Sequence, residues 1–274
     1  MSTARKFGQW PYPLNYHPRS DHHSKVSCWA IMFDLMRETS LLRTHVEQGK
    51  VAFGINHKIV DYARDREKDL DLVICSPDPT MLSRHRTLRE LGAGWGVTLT
   101  ADQVDQMDQL PEIQEAGVGS ILMTLEAKAC MTEYGKARPR LYDELNSSQS
   151  IVHGGSSHTL AVGLVMINTA GTFFSPLRNK HLKIDSSWPA EVTVHQQPAD
   201  TEKTLRTIES LPRRTGNSGR GYDAIGVLLV DCPNDGGRVS LYQGPLSPAP
   251  GSTFEYGSMI RRMSGEYSSR FAGL

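Results

Sequence analysis

The stretch Ser120-Ile121-Leu122-Met123-Thr124-Leu125-Glu126-Ala127-Lys128-Ala129 decides how this chain is read. It is a short apolar run that ends in a carboxylate, one spacer residue and an ammonium. Val118-Gly119 precedes it and a polar stretch with Gly135 follows, so length and flanks favour a buried strand over a helix. Side chains alternate along a strand, so Glu126 and Lys128 share one face while Ala127 keeps the other tight. Burying charge is unfavourable unless it is paired, bound to metal or used. A Glu-x-Lys closing a core strand is therefore expected to be functional.

A second strand is expected at Asp69-Leu70-Asp71-Leu72-Val73-Ile74-Cys75, stopped by Ser76-Pro77-Asp78-Pro79. Alternation puts Asp69, Asp71 and Val73 on one face and Leu70, Leu72 and Ile74 on the other. Asp69 reads as a solvated strand end. Asp71 is expected to join Glu126 and Lys128.

Outward from these strands the chain reads as α/β: a central mixed β-sheet flanked by helices. Residues 1–26 form a polar arm that Trp10, Tyr12 and Tyr16 pin to the body; His17, Asp21, His22 and His23 lack a second ligand cluster to close a metal site. Trp29, Met32, Phe33 and Met36 predict a helix within Ser27 to Gly49, and Ile55, Ile59, Tyr62 and Ala63 predict another from Phe53 to Arg64, followed by a charged turn from Asp65 to Lys68. Residues 80–117 read as a helical insertion or lid, with a basic helical stretch at Arg84, His85, Arg86 and Arg89, a turn at Leu91 to Gly96 and a helix start at Thr100. Pro139 suits the first turn of a helix that ends before a turn at His153-Gly154-Gly155. Strands follow from Thr159, Val192 and Tyr222, with Val239 to Tyr242 as a hairpin partner of the last. Helices are expected from Thr201 to Leu211 and from Phe254 to Phe271. Between them lies a flexible basic loop, Arg213 to Gly221. One domain, 1–274, is expected, with catalytic core strands and helix at 120–170.

Lysine plus arginine and aspartate plus glutamate balance at 30 each, so a polyanion would have to be held by a local basic patch. Cys28, Cys75, Cys130 and Cys232 form no Cys-x-x-Cys pair, which argues against a zinc ribbon and suits free thiols in a reducing cytoplasm. The longest apolar run, Leu160 to Ile167, is too short to span a bilayer, and no apolar segment follows Arg5-Lys6, so neither a membrane partner nor a secretory signal is expected. There is no Walker loop, and Ser156, Ser157 and His158 lack a nucleophile elbow and an acid partner.

An acid opening one strand, Glu126-Ala127-Lys128 on the next and then a helix resemble the PD-(D/E)xK nuclease superfamily, whose best-known members are type II restriction endonucleases. The pattern covers residues 40 to 170, with the insertion at 80–117 accounting for the long interval between the two strands. The resemblance implies a restriction-endonuclease-like core and a sequence-specific, metal-dependent DNA endonuclease acting as a homodimer on double-stranded DNA. A repair or phage DNA-processing nuclease of the same fold is an alternative, as is a non-catalytic nucleic-acid-binding module. Asp71, Glu126 and Lys128 would be catalytic, with Asp78 in Pro77-Asp78 as the reserve acid and Glu47 as an extra acid from the preceding helix. Mg²⁺, as one or two ions, takes hard oxygen ligands and few carboxylates, so Asp71, Glu126 and the carbonyl of Ala127 would hold it. Lys128 would orient or deprotonate the attacking water and neutralise the phosphate, given a lowered pKa. Arg84, Arg86, Arg89, Lys136, Arg138, Arg140 and Arg220 would contact DNA phosphates, and Arg220, Asn217 and the loop near Asn179 would read bases.

Overall fold

The computed structural model describes residues 4–7, 12–61, 66–81, 84–183, 189–216 and 219–274; Trp10, Tyr62, Ala63, Arg64, Asp65 and Asn217 lie outside them. In chain order the elements are α1 (His22–Glu38), α2 (Ser40–Glu47), β1 (Ala52–Asp61), β2 (Arg66–Pro77), α3 (Leu88–Gly94), α4 (Ala101–Asp108), β3 (Val118–Cys130), α5 (Tyr134–Gly155), β4 (Leu160–Asn168), β5 (Thr172–Phe174), β6 (Val192–Val194), α6 (Ala199–Glu209), β7 (Ala224–Asp231), β8 (Ser240–Leu241) and α7 (Tyr256–Arg270). Six strands form one sheet in the order β1-β2-β3-β4-β7-β8. The first three strands run antiparallel, β3, β4 and β7 run parallel, and β8 returns antiparallel.

This is the expected α/β architecture with a mixed sheet covered on both faces. α1, α2, α3, α4 and α7 bury Trp29, Met32, Leu42, Leu91, Met107 and Met263 against one face. α5 and α6 bury Leu141, Leu145, Val152 and Ile208 against the other. β4 lies between these layers and is buried along its whole length, as a central parallel strand should be. Among the described residues no helix is long and apolar enough to cross a membrane. All four cysteines are buried and free.

Several expectations are corrected. The segment from Phe53 is strand β1, not a helix. Asn56 adopts a left-handed φ of 48° opposite Asp71, and the regular pairing of β1 with β2 skips that one position. The sheet changes face there: Ile55 and Leu72 pack toward α1, whereas Ile59 and Leu70 pack toward α5. Leu70 therefore does not share a face with Leu72. Glu67 and Lys68 belong to β2 rather than to a turn.

The helical stretch after Ser27 is two helices, since Thr39 is extended (φ −106°, ψ 98°) and breaks the run. Arg84, His85 and Arg86 precede α3 rather than forming a helix. Gly92, expected in a turn, is inside α3, where an added Cβ would meet the Trp29 ring at 2.7 Å. Capping boxes at Thr87/Glu90 and Thr100/Gln103 start α3 and α4. Both helices cover the α1 core, so residues 84–117 are a packed insertion. Pro139 is interior to α5; the carbonyl its ring leaves without an N–H partner, that of Gly135, is at the exposed first turn. His153, Gly154 and Gly155 complete that helix instead of forming a turn.

Candidate active site

Pairing of β2 with β3 stops at Leu72–Leu125, although β2 remains paired to β1 as far as Arg66–Asp61. Beyond that point the two strands diverge. The Asp71 carboxylate takes over where the ladder ends: its Oδ2 accepts from the Ala127 N–H at 3.2 Å, and its Oδ1 accepts from Ser24 Oγ at 3.0 Å. Within a strand the N–H and C=O of one residue point to the same edge, so the Ala127 carbonyl also faces the opening. The cleft formed there has a volume of about 760 Å³, and Asp71, Ala127 and Lys128 line it with Tyr16, Arg19, His23, Lys136, Arg140, Glu144 and Arg178.

Glu126 sits behind the cleft wall, only 3% exposed, between two ammonium groups. Lys128 Nζ is 2.8 Å and Lys68 Nζ 3.0 Å from the same oxygen, Oε1. Neither is aligned for a good hydrogen bond, and Oε2 has no hydrogen-bond donor. Lys128 also reaches Glu144 Oε2 at 3.6 Å. Lys68 is anchored on α5 by Ser148 Oγ, which itself donates to the Glu144 carbonyl at 2.7 Å. The face shared by Glu126 and Lys128 is the one expected from alternation.

Burial, reinforced by the Glu126 charge, pushes the Asp71 carboxyl up to about 6. Burial acts to lower the Lys128 pKa, but the carboxylates of Glu126, Asp71 and Glu144 outweigh it and hold the ammonium above its ordinary value. This corrects the expectation of a lowered pKa: the side chain is a fixed cation, suited to neutralising phosphate and orienting water rather than to taking a proton. Burial and the nearby Lys128 charge push His23 down to about 4, so its imidazole is neutral near pH 7; its buried Nδ1 has no partner.

Of the expected oxygen donors, Asp71 and Ala127 line the cleft, whereas Glu126 lies behind its wall with Oε2 buried and without a donor; carboxylate and carbonyl oxygens are the donor type a hard divalent cation takes. No group of three His, Cys, Asp or Glu side chains that could hold a metal is present among the described residues.

Asp78 does not reach this site. It is seven residues further along from Asp71, roughly 23 Å at strand spacing, and its Oδ1 is held in the turn by Thr80 N–H and Oγ1. Glu47 is also displaced. It is exposed at the end of α2, beyond the far end of the 17-residue α1 whose first turn carries Ser24. That helix is about 25 Å long. The residue the preceding helix contributes is Ser24.

Of the expected phosphate contacts, Lys136 and Arg140 line the cleft; Arg140 pairs with Glu144 at 2.6 Å. Arg138 does not line it and faces Asp200 at 3.9 Å. Arg84, Arg86 and Arg89 lie with the insertion, away from the cleft, where Arg86 pairs with Glu115 and Arg89 with Asp108. Arg220 is exposed on the loop before β7 and does not line the cleft. In that loop Arg214 is not a free surface cation: it is 2% exposed and pairs at 2.8 Å with the equally buried Asp223, which Arg270 of α7 also holds. Asn179 is fully buried and bonded to the backbone of Ser175 and Glu191, so it cannot read a base.

Sequence reasoning missed Ser24, Lys68, Glu144, Arg19 and Arg178, and weighed His23 only as a metal ligand. Glu144 had a local signal, four residues after Arg140 on the helix following the Glu-x-Lys strand. Lys68 had none, because its partner is on the next strand across a long insertion. No family model, curated protein or solved structure matches the chain.

Proposed function

We propose that this protein is a metal-dependent DNA endonuclease of restriction-enzyme type, hydrolysing phosphodiester bonds in double-stranded DNA as a homodimer. One observation carries the reading: β2 and β3 part so that Asp71 closes on Ala127 N–H beside the Glu126–Lys128 pair, at the mouth of a cleft of about 760 Å³. The order acid strand, Glu-x-Lys strand, helix, strand is β2, β3, α5 and β4, the order the resemblance implies.

Bound Mg²⁺ would supply an acidified water and charge neutralisation on the phosphoryl oxygens. Asp71, Glu126 and the Ala127 carbonyl would hold it. The Lys128 ammonium, in the cleft wall, places positive charge where a phosphate would lie and gives the attacking water a donor to orient against. Arg19, Lys136, Arg140 and Arg178 line the same cleft and supply cations for neighbouring phosphates. A homodimer follows from one site per chain and two strands to cut.

Incubation with mixed-sequence duplex DNA, in Mg²⁺ and in chelator, tests this. Discrete fragments formed only with metal are expected. DNA left intact across many sequences and metals would overturn the proposal. Fragments without a fixed sequence would point instead to a repair or phage DNA-processing nuclease. A second reading is a non-catalytic nucleic-acid-binding module, suited by the cations Arg19, Lys136, Arg140 and Arg178 that line the cleft. That module would bind duplex DNA and never cut it.

A further inference from the structure

Glu126 has two resident cations where one would neutralise it, and the two lysines are not equivalent. Lys128 lines the cleft and is 26% exposed; Lys68 is 16% exposed, does not line the cleft and is tied to α5 through Ser148 Oγ and the Glu144 carbonyl. Both address the same oxygen, Oε1. If Lys128 were the only partner, moving it to a substrate phosphate would strand a buried carboxylate, which is strongly unfavourable. A second ammonium fixed from behind removes that obstacle.

We propose that Lys68 is the permanent counter-ion of Glu126, a positioning residue that frees Lys128 to engage a DNA phosphate. The inference rests on the nuclease reading of the cleft and adds a division of labour to it. Lys68 stays on Oε1 throughout and keeps the carboxylate oriented, with Oε2 turned to no protein donor. Lys128 exchanges Glu126 for phosphate when DNA enters and returns when it leaves. Lys68 itself never touches the substrate.

The test reads Lys128 directly. Lysines of the full chain are ¹³C-dimethylated, which preserves their charge, and the Lys128 resonance is assigned by its loss in Lys128→Ala. A short DNA duplex is then titrated in chelator, so no metal or turnover contributes. In the unsubstituted chain the Lys128 resonance moves as duplex is added. In Lys68→Gln, which keeps a hydrogen bond to Ser148 without the charge, Lys128 is locked on Glu126 and the same shift requires at least about tenfold more duplex. Lys68→Arg restores the native response. An identical titration in Lys68→Gln and the unsubstituted chain overturns the proposal and leaves the nuclease reading intact. A Lys128 resonance that ignores duplex in the unsubstituted chain removes both. Should Lys68→Gln be too unstable to study, the double variant with Glu126→Gln carries no stranded carboxylate and is compared with Glu126→Gln alone. Equal responses are expected, since Lys68 acts only through Glu126; a weaker response in the double variant overturns the proposal.

Discussion

Asp71→Asn is expected to stabilise the metal-free protein at alkaline pH relative to acid pH. Burial and the Glu126 charge raise the Asp71 carboxyl from 3.8 in an open chain to about 6 in the fold. Between those values the folded state holds a proton that the unfolded chain has released, so stability falls as pH rises through the window. The penalty is absent well below the open-chain value and complete above about pH 6. At about pH 8 it amounts to about 3 kcal/mol, and at about pH 4.5 to about 1 kcal/mol. Asparagine carries no charge and escapes this term. It keeps one acceptor for Ala127 N–H or Ser24 Oγ and loses the other, a loss of about 1–2 kcal/mol at every pH. The pH-independent loss cancels in the comparison, leaving a relative gain for the variant of about 2 kcal/mol between acid and alkaline conditions. Urea unfolding of both proteins in chelator at the two pH values measures it. A stability difference that stays constant with pH, or one that shifts in favour of the native aspartate as pH rises, would refute the assignment of a buried, charge-repelled carboxyl.

Three further outcomes are expected. Asp223→Ala leaves Arg214 and Arg270 buried without their shared carboxylate and destabilises the fold by about 3–5 kcal/mol in denaturant titration, without a direct effect on the cleft. Gly163→Ala puts a Cβ 3.0 Å from Tyr222 Cε1, beside the β3 position of Glu126, and lowers stability by about 1–3 kcal/mol, read as a lower thermal midpoint. Asp78→Asn and Glu47→Gln leave DNA cleavage within about twofold of the native rate, because neither carboxylate reaches the cleft; a loss of tenfold in either would move the site.

How much of this was legible in the sequence differs from element to element. β3 was, because an apolar run closed by Glu126-Ala127-Lys128 reads as a core strand, and the sheet buries Leu122 to Ala127 without a break. The start of α4 was, because Thr100 and Gln103 form a cap whose partners are three residues apart. β1 was misread for a definite reason. A strand that changes faces at a left-handed Asn56 places Ile55 and Ile59 on opposite sides, and their four-residue spacing imitates a helix. The loop around Arg214 looked solvated because its neighbours are glycines and polar residues; the cover comes from Arg262 and Arg270 at the far end of the chain. The second partner of Glu126 is equally long-range. Lys68 precedes Asp71 by three residues, an odd interval, so alternation turns it toward α5 and the Glu126 carboxylate while Asp71 turns toward α1.

The central claim is that Asp71, Glu126 and Lys128 form one hydrolytic site. Lys128→Ala tests it most directly when single-turnover cleavage in Mg²⁺ and duplex affinity in Ca²⁺ are measured on the same DNA. The account predicts cleavage reduced by at least about a hundredfold with affinity changed only a few-fold, since Arg19, Lys136, Arg140 and Arg178 remain. Cleavage at the native rate by the variant, or no cleavage by either protein on any DNA, would contradict it.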